Sequence, residues 1–388
     1  MEWSNITDKE GKYLEYTNFK GNKISKLGFG FMRLPQSGPQ QTNIDMDKTE
    51  KIAMRAIELG VNYFDSAYFY HGGKSEVALG EVLSKNGVRD KVNIATKYPM
   101  FGHLSQGNMD SIFEDQLSRL KTDYIDFYLL HGLRGQLWDD GVEKGMPQFL
   151  DKLKAEGRIR HAGFSFHDSL DNFKHIIDSY NWDFCQIQFN FMDVDIQAGL
   201  EGLRYAGSKG VSVVVMEPLK GGQLASISGE NVDTLKAKYG LSHMSMAQIA
   251  LRFVLSHDEV LTALSGMNEM SQVEENAISA SSLATSFSDS ERQFCTELKD
   301  MLESLNTIDC TSCRYCSEEC PNEVAITQLF SAYNNAIRYN SREISARNML
   351  RMGPNLDCSE CRTCVDVCPQ QLDIPELIKK AKDYFAIT

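Results

Sequence analysis

The chain is 388 residues long, with a hydrophobic fraction of 42%, a charged fraction of 24% and a formal net charge of -13. That composition is the composition of an ordinary globular protein, and no apolar run reaches the length that a membrane helix needs. So acidic a chain is also poorly suited to phosphate backbones, whose binding rests on Lys and Arg, and nucleic acid is not expected as a partner. The opening residues Met1-Glu2-Trp3-Ser4-Asn5 lack the basic and then apolar pattern of an export signal, which predicts a cytoplasmic address. The length suits two cores, a large barrel of roughly 250 to 300 residues and a module of about 100.

In chain order, short β-branched or apolar runs at 27–32, 61–65, 92–96, 124–130, 159–164, 184–189, 211–216 and 260–265 read as strands. Between them, segments 49–59, 109–120, 146–156, 170–180, 198–209 and 245–255 repeat apolar residues at helical spacing. Eight such units predict an α/β fold, a closed (β/α)8 TIM barrel. The run Gly28-Phe29-Gly30-Phe31-Met32-Arg33 begins like a dinucleotide fingerprint. Arg33 stands where a third glycine is needed, and Pro35 follows where a helix would start, so a Rossmann reading is rejected. Residues 277–290 read as a barrel-terminal helix running into a connector, and Ser288-Asp289-Ser290-Glu291 as a cap for a helix over 292–305. The expected domains are 1–290 and 291–388.

Eight of the ten cysteines fall in two matching groups near the C-terminus, leaving Cys185 and Cys295 alone. The groups are Cys310, Cys313, Cys316, Cys320 and Cys358, Cys361, Cys364, Cys368, each closed by a proline. Metal ligation suits them better than disulfides in a reducing compartment. The spacing is that of bacterial ferredoxins, in which three thiolates grip one 4Fe-4S cubane and the fourth reaches across to a second. On that rule Cys310, Cys313, Cys316 and Cys368 hold one cluster, and Cys358, Cys361, Cys364 and Cys320 the other. Two zinc sites of four cysteines are the alternative, but those show close pairs rather than runs of four. The module resembles two-cluster ferredoxin domains of the α-helical type, since the insert between the motifs looks helical. That insert carries Arg338, Arg342, Arg347 and Arg351. They form either a solvated helix face or a landing place for an acidic, ferredoxin-type electron carrier.

Reacting groups in a (β/α)8 enzyme sit at the C-terminal ends of strands. Strand two ends in Asp65 and leads to Tyr70, strand three ends near Lys97, and strand four runs into His131. This constellation resembles the aldo-keto reductase family over about residues 20–285, which implies a catalytic tetrad of Asp65, Tyr70, Lys97 and His131. The chemistry agrees: a tyrosine can protonate a developing alkoxide when a nearby ammonium makes its phenolate accessible, a role that falls to Lys97. Asp65 would hold Lys97, and a neutral His131 would position the substrate oxygen. The histidine, where some members have glutamate, implies a carbonyl or alcohol substrate rather than a carbon-carbon double bond.

The same resemblance implies a nicotinamide cofactor, NADPH or NADH, touching Gly30, Phe31, Met32 and Asp65. Ser165 and Gln186 match the residues that hold the carboxamide, and Met216 stands where an aromatic residue often stacks on the ring. Pro218, Leu219 and Gly222 follow, and after strand eight come Gly266, Asn268, Gln272, Glu275 and Asn276. Gln272 occupies the place of an arginine that binds the 2'-phosphate, which weakens the case for NADPH. A flavin could mediate between hydride and one-electron chemistry, but no flavin motif is readable. The expected function is an iron-sulfur aldo/keto oxidoreductase. The alternatives are a ferredoxin-linked reductase that does not use nicotinamide and a non-catalytic redox sensor.

Overall fold

The computed structural model describes residues 14–38, 42–100, 106–281, 287–305, 307–338, 342–350 and 353–387. Eight parallel strands close into a barrel: β3 (Leu27–Gly30), β4 (Tyr63–Asp65), β5 (Asn93–Pro99), β6 (Ile125–Leu133), β7 (Ile159–Phe166), β8 (Phe184–Gln188), β9 (Ser212–Met216) and β10 (Val260–Ser265). β10 pairs with both β9 and β3, which removes every free edge. All eight expected strands are present, with ends shifted by no more than three residues. Strands such as Ser212-Val213-Val214-Val215-Met216 are apolar throughout because helices cover the outer face while side chains fill the inside. The interior is packed with Tyr63, Ala95, Phe127, Leu129, Phe184, Val214, Leu261 and Leu264. Gly28 faces that interior, where an added Cβ would meet Leu264 at 2.7 Å. The glycine run of β3 is therefore strand, and no helix follows it until Met46–Glu58.

A hairpin of β1 (Tyr16–Phe19) and β2 (Asn22–Ser25) precedes the barrel and left no mark in the sequence reading. Its two turn residues, Lys20 and Gly21, have φ of 48° and 89°, the paired positive values of the turn whose twist matches a hairpin. It carries Phe19 to the barrel, with its ring 5.5 Å from Phe127 and 4.8 Å from His161.

Helices Met46–Glu58, Gln106–Leu120, Met146–Ala155, Leu170–Ser179, Gly199–Ser208 and Met246–Leu255 stand where periodicity placed them. Lys74–Asn86 and Gly135–Glu143 were not expected. The helix expected within 277–290 instead spans Met270–Ser279, because Glu269 and Gln272 form a capping box that starts it earlier. Residues 282–286 of that stretch lie outside the described residues. The cap at Ser288 is a reciprocal box with Glu291, and the helix it opens is Asp289–Glu303.

The compact units do not follow a single cut in the chain. One comprises residues 1–218 and 250–287, and the other 219–249 and 288–388. The second is helical, with a core of Ile308, Val324, Ile326, Leu329, Phe330, Tyr333, Ile374, Ile378 and Ala381 around the buried Cys310, Cys316 and Cys364. Among the described residues no helix is long and apolar enough to cross a membrane.

Gly80, on Lys74–Asn86, lets that helix ride on the end of Gln106–Leu120. A Cβ there would stand 2.3 Å from the Arg119 carbonyl oxygen and 2.7 Å from the Leu120 carbonyl carbon, both backbone atoms that cannot step aside. Gly80→Ala should therefore cost about 1–3 kcal/mol through overpacking, read as a lower urea midpoint with unchanged slope.

Candidate active site and cysteine sets

β4 and β5 pair in parallel with Asp65 opposite Ala95, which brings the ends of both strands to one mouth. There Lys97 Nζ donates to Asp65 Oδ1 at 2.6 Å and to the Ser66 carbonyl at 2.7 Å. Lys97 is only 1% exposed. Burial drives the carboxyl up and the ammonium down, and each partner opposes the other's shift. The other carboxylate oxygen, Asp65 Oδ2, is buried without a hydrogen-bond partner.

Behind Lys97 lies a polar network that the sequence did not reveal. Glu76 Oε1 accepts from Thr96 Oγ1 at 2.6 Å and Gln116 Nε2 at 2.8 Å. Gln116 Nε2 also reaches the Lys97 carbonyl at 3.0 Å, and Tyr128 donates to Gln116 Oε1 at 2.7 Å. Four side chains thus fix the β5 backbone at the lysine. Glu76 belongs to a helix that periodicity missed, so nothing marked it as buried.

Tyr70 follows β4 in a tight loop in which His71, Gly72 and Gly73 all have positive φ. The loop is pinned by His71, whose Nε2 accepts from Leu34 N at 3.2 Å. The Lys97 ammonium sits over the face of the Tyr70 ring, 4.9 Å from its centroid. The His131 ring meets Tyr70 edge-on at 5.8 Å. All four members of the expected tetrad are therefore gathered in one place.

The Tyr70 phenol is held well above its ordinary range by burial and then by the Asp65 and Glu217 carboxylates, and the cation that opposes this is Arg33. Burial, the Lys97 ammonium and His167 push His131 down to about 3, so its imidazole is neutral. Arg33 and Glu217 form a loose pair at 3.5 Å. Their pairing was not expected, because an ion pair between distant segments leaves no periodic trace.

The expected cofactor residues fall into three groups. At β7 and β8, Ser165 Oγ accepts from Gly132 N at 2.8 Å and keeps its own proton to give, while Gln186 Oε1 is buried with no partner. A donor and an orphaned acceptor side by side suit a carboxamide, so these residues fit a nicotinamide. Met216 ends β9 and packs partly on the barrel interior, and Pro218 is buried. Gly30 lies beside β10, where an added Cβ would stand 3.6 Å from the Ser265 carbonyl oxygen, and Met32 is exposed. Phe31 instead buries its ring against Phe29 and Phe64, and its backbone N–H donates to the Asp65 carbonyl.

Beyond β10, Gly266 abuts Arg33, and Gln272 spends its Oε1 on the N–H groups of Asn268 and Glu269. Asn276 is buried with Nδ2 on Ser265 Oγ at 3.0 Å, whereas Glu275 is half-buried. Leu219 and Gly222 lie in the segment that groups with the second unit.

In the second unit the eight cysteines divide as the ferredoxin rule requires. One space is lined by Cys310, Cys313, Cys316 and Cys368. A second is lined by Cys320, Cys358, Cys361 and Cys364. Sulfurs spread around a cavity fit a cubane.

The two motifs repeat in backbone as well as in sequence. Ser312, Arg314 and Glu323 have positive φ, as do Glu360, Arg362 and Gln371 at the same offsets in the other motif. Backbone N–H groups reach sulfur in both: Ser312 N to Cys310 Sγ and Glu360 N to Cys358 Sγ, each at 3.4 Å. Cys185 and Cys295 are buried apart from either set, and burial pushes both thiols up, Cys295 to about 12.

Of the four arginines in the insert, Arg338 donates to Gln223 Oε1 at 3.4 Å and to Thr307 Oγ1 at 3.3 Å, and Arg342 lies over the Tyr384 ring. The Arg347 side chain and Arg351 lie outside the described residues.

A phenol and a neutral imidazole gathered with an ion pair at the ends of the barrel strands form a candidate site for proton transfer to an oxygen. Residues 26–300 match the model of the aldo/keto reductase family, and the chain belongs to that family. Residues 309–372 match a 4Fe-4S dicluster domain. Arabidopsis thaliana L-galactose dehydrogenase is 28% identical over 74% of this chain and 93% of its own. An Escherichia coli methylglyoxal reductase is 31% identical over 59% of this chain and 78% of its own. The structure of a Bacillus halodurans aldo-keto reductase in its holo form aligns with a TM-score of 0.61 at 27% identity, covering 74% of this chain and 96% of that one.

Two outcomes follow from the electrostatics. Lys97→Met alone strands a buried carboxylate and should cost about 3–5 kcal/mol. The double variant Asp65→Asn/Lys97→Met should recover much of that loss, measured as urea midpoints across the cycle. Separately, His131, His161 and His167 lie at about 3, 4 and 4 against an ordinary 6.5. Below 6.5 the unfolded chain takes up protons that the folded chain refuses, so stability should fall as pH drops from 6.5 toward 4. His131→Gln should make that decline shallower in a pH series of unfolding curves.

Proposed function

We propose that the protein interconverts a carbonyl and an alcohol with NADH or NADPH, and that it carries two 4Fe-4S clusters that transfer or sense electrons. The observation that carries this reading is the convergence of Asp65, Lys97, Tyr70 and His131 on one mouth. When bound, a nicotinamide supplies or accepts hydride. The chain's own residues do the rest.

Ser165 and Gln186 are placed to take the two ends of its carboxamide, which fixes which ring face meets the substrate. His131, being neutral, is suited to holding the substrate oxygen by a hydrogen bond without adding charge. Tyr70 Oη gives its proton to that oxygen as negative charge develops on it. Lys97 and Asp65 stay as an ion pair and keep the surrounding field constant through the step. Two relatives, an L-galactose dehydrogenase and a methylglyoxal reductase, favour a small carbonyl or polyol as substrate.

In the second unit Cys310, Cys313, Cys316 and Cys368 would hold one cluster, and Cys320, Cys358, Cys361 and Cys364 the other. The reading is tested on anaerobically purified protein with NADH or NADPH and a panel of aldehydes and ketones. Tyr70→Phe should lower turnover about 10²- to 10⁴-fold, the usual worth of a positioned acid, while nucleotide binding persists. Turnover only with reduced ferredoxin would instead favour a nicotinamide-independent reductase. Nucleotide binding with no turnover on any substrate would favour a redox sensor.

A further inference from the structure

The helix Lys74–Asn86 begins behind the catalytic mouth, and its second and third residues, Ser75 and Glu76, are polar and wholly buried. A glutamate at the third helical position ordinarily reaches back to the residue that caps the helix. Here the cap is Gly73, no side chain bonds there, and the Glu76 carboxylate turns inward instead. Three donors close on it: Thr96 Oγ1 at 2.6 Å and Gln116 Nε2 at 2.8 Å on one oxygen, and Arg119 Nη1 at 3.4 Å on the other. Only a group that accepts on both oxygens satisfies all three. The Gln116 amide is thereby oriented, with Nε2 also donating to the Lys97 carbonyl at 3.0 Å and Oε1 accepting from Tyr128 at 2.7 Å. A neutral amide at residue 76 would turn an N–H toward one of these donors. If Gln116 rotated to suit it, an amide oxygen would face the Lys97 carbonyl oxygen.

Ser75 grips the other side of the mouth. Its N–H donates to the Tyr70 carbonyl at 3.2 Å, and its Oγ donates to the Phe31 carbonyl at 3.0 Å. Ser66 Oγ lies 2.8 Å from Ser75 Oγ, and the Ser66 carbonyl accepts from Lys97 Nζ. Two adjacent residues of one helix thus reach Tyr70 and Ser66 directly and Lys97 through Gln116.

We propose that Glu76 is a positioning residue for the reaction: its carboxylate, acting through Gln116, sets the Lys97 ammonium in place against Asp65 and the Tyr70 ring. Glu76 itself touches no reacting group. It matters because an error of about 1 Å in the placement of a reacting group can cost about 10²-fold in rate. With Ser75 holding the Tyr70 backbone, phenol and ammonium are both set from one rigid element.

This inference rests on the carbonyl-reducing reading, and the crystallographic arm of its test stands apart from turnover. Crystal structures of the full chain and of Glu76→Gln are compared first. The variant should lose the contact between Gln116 and the Lys97 carbonyl. Lys97 Nζ, now 4.9 Å from the Tyr70 ring centroid, should move by about 0.5 Å or more, beyond the tolerance of a working site. In kinetics with nucleotide and a carbonyl substrate, kcat should fall about 10- to 100-fold. KM and the nucleotide dissociation constant should hold, because Glu76 is wholly buried behind the strand.

Gln116→Met breaks the same path from its other end and should reproduce both effects, and it carries both readouts if Glu76→Gln does not fold. The double variant should cost no more in kcat than either single one, as residues acting as a unit do. Val82→Ala trims another buried residue of the same helix and should lower the unfolding midpoint with kcat unchanged. An unmoved Lys97 in both single variants, additive losses in the double one, or a rise in KM matching the fall in kcat would overturn the proposal. Absence of turnover by the unaltered protein on every carbonyl would overturn the reading beneath it, and the position of Lys97 in the crystals would then decide the proposal alone.

Discussion

A lysine buried inside a protein keeps its charge only if a counter-ion touches it, and the Lys97–Asp65 contact is the constraint around which the mouth of this barrel is organised. The pair acts on its two neighbours in opposite senses. Burial raises the Tyr70 phenol and the Asp65 carboxylate adds to that, while burial lowers the His131 imidazole and the Lys97 ammonium adds to that. The ion pair thus reinforces, at phenol and imidazole, what burial already imposes. The barrel makes this feasible because adjacent parallel strands deliver the two charges at one end, and because Glu76, Gln116 and Tyr128 lock the β5 backbone behind them.

The second unit solves a different problem with few residues. Three of the eight motif cysteines, Cys310, Cys316 and Cys364, are themselves part of its apolar core. Each set draws three sulfurs from one motif and one from the other, so ligation at either set ties both motifs together. Binding free energy at such sites becomes folding free energy.

Much of the architecture was legible because it repeats. Strands rich in valine and isoleucine at regular intervals marked the barrel, and the cysteine spacing marked the second unit. The pairing of Asp65 with Tyr70, Lys97 and His131 was readable because all four lie just beyond strands that could themselves be placed. What could not be read depends on contacts between distant segments. The Arg33–Glu217 pair and the network behind Lys97 are single side chains meeting across the fold, with no periodicity to announce them. The β1–β2 hairpin escaped for another reason: its strands are four residues each and its Lys20-Gly21 turn is a weaker signal than Asn-Gly.

The backbone correspondence between the two cysteine motifs extends past the loops. Helix Tyr315–Glu318 answers to Thr363–Asp366, and Ile326–Arg338 to Ile374–Phe385, each pair beginning at the same distance from its first cysteine. Each half supplies three thiols to one set and lends one to the other. Two identical halves facing each other about a dyad would therefore complete both sets without any third element.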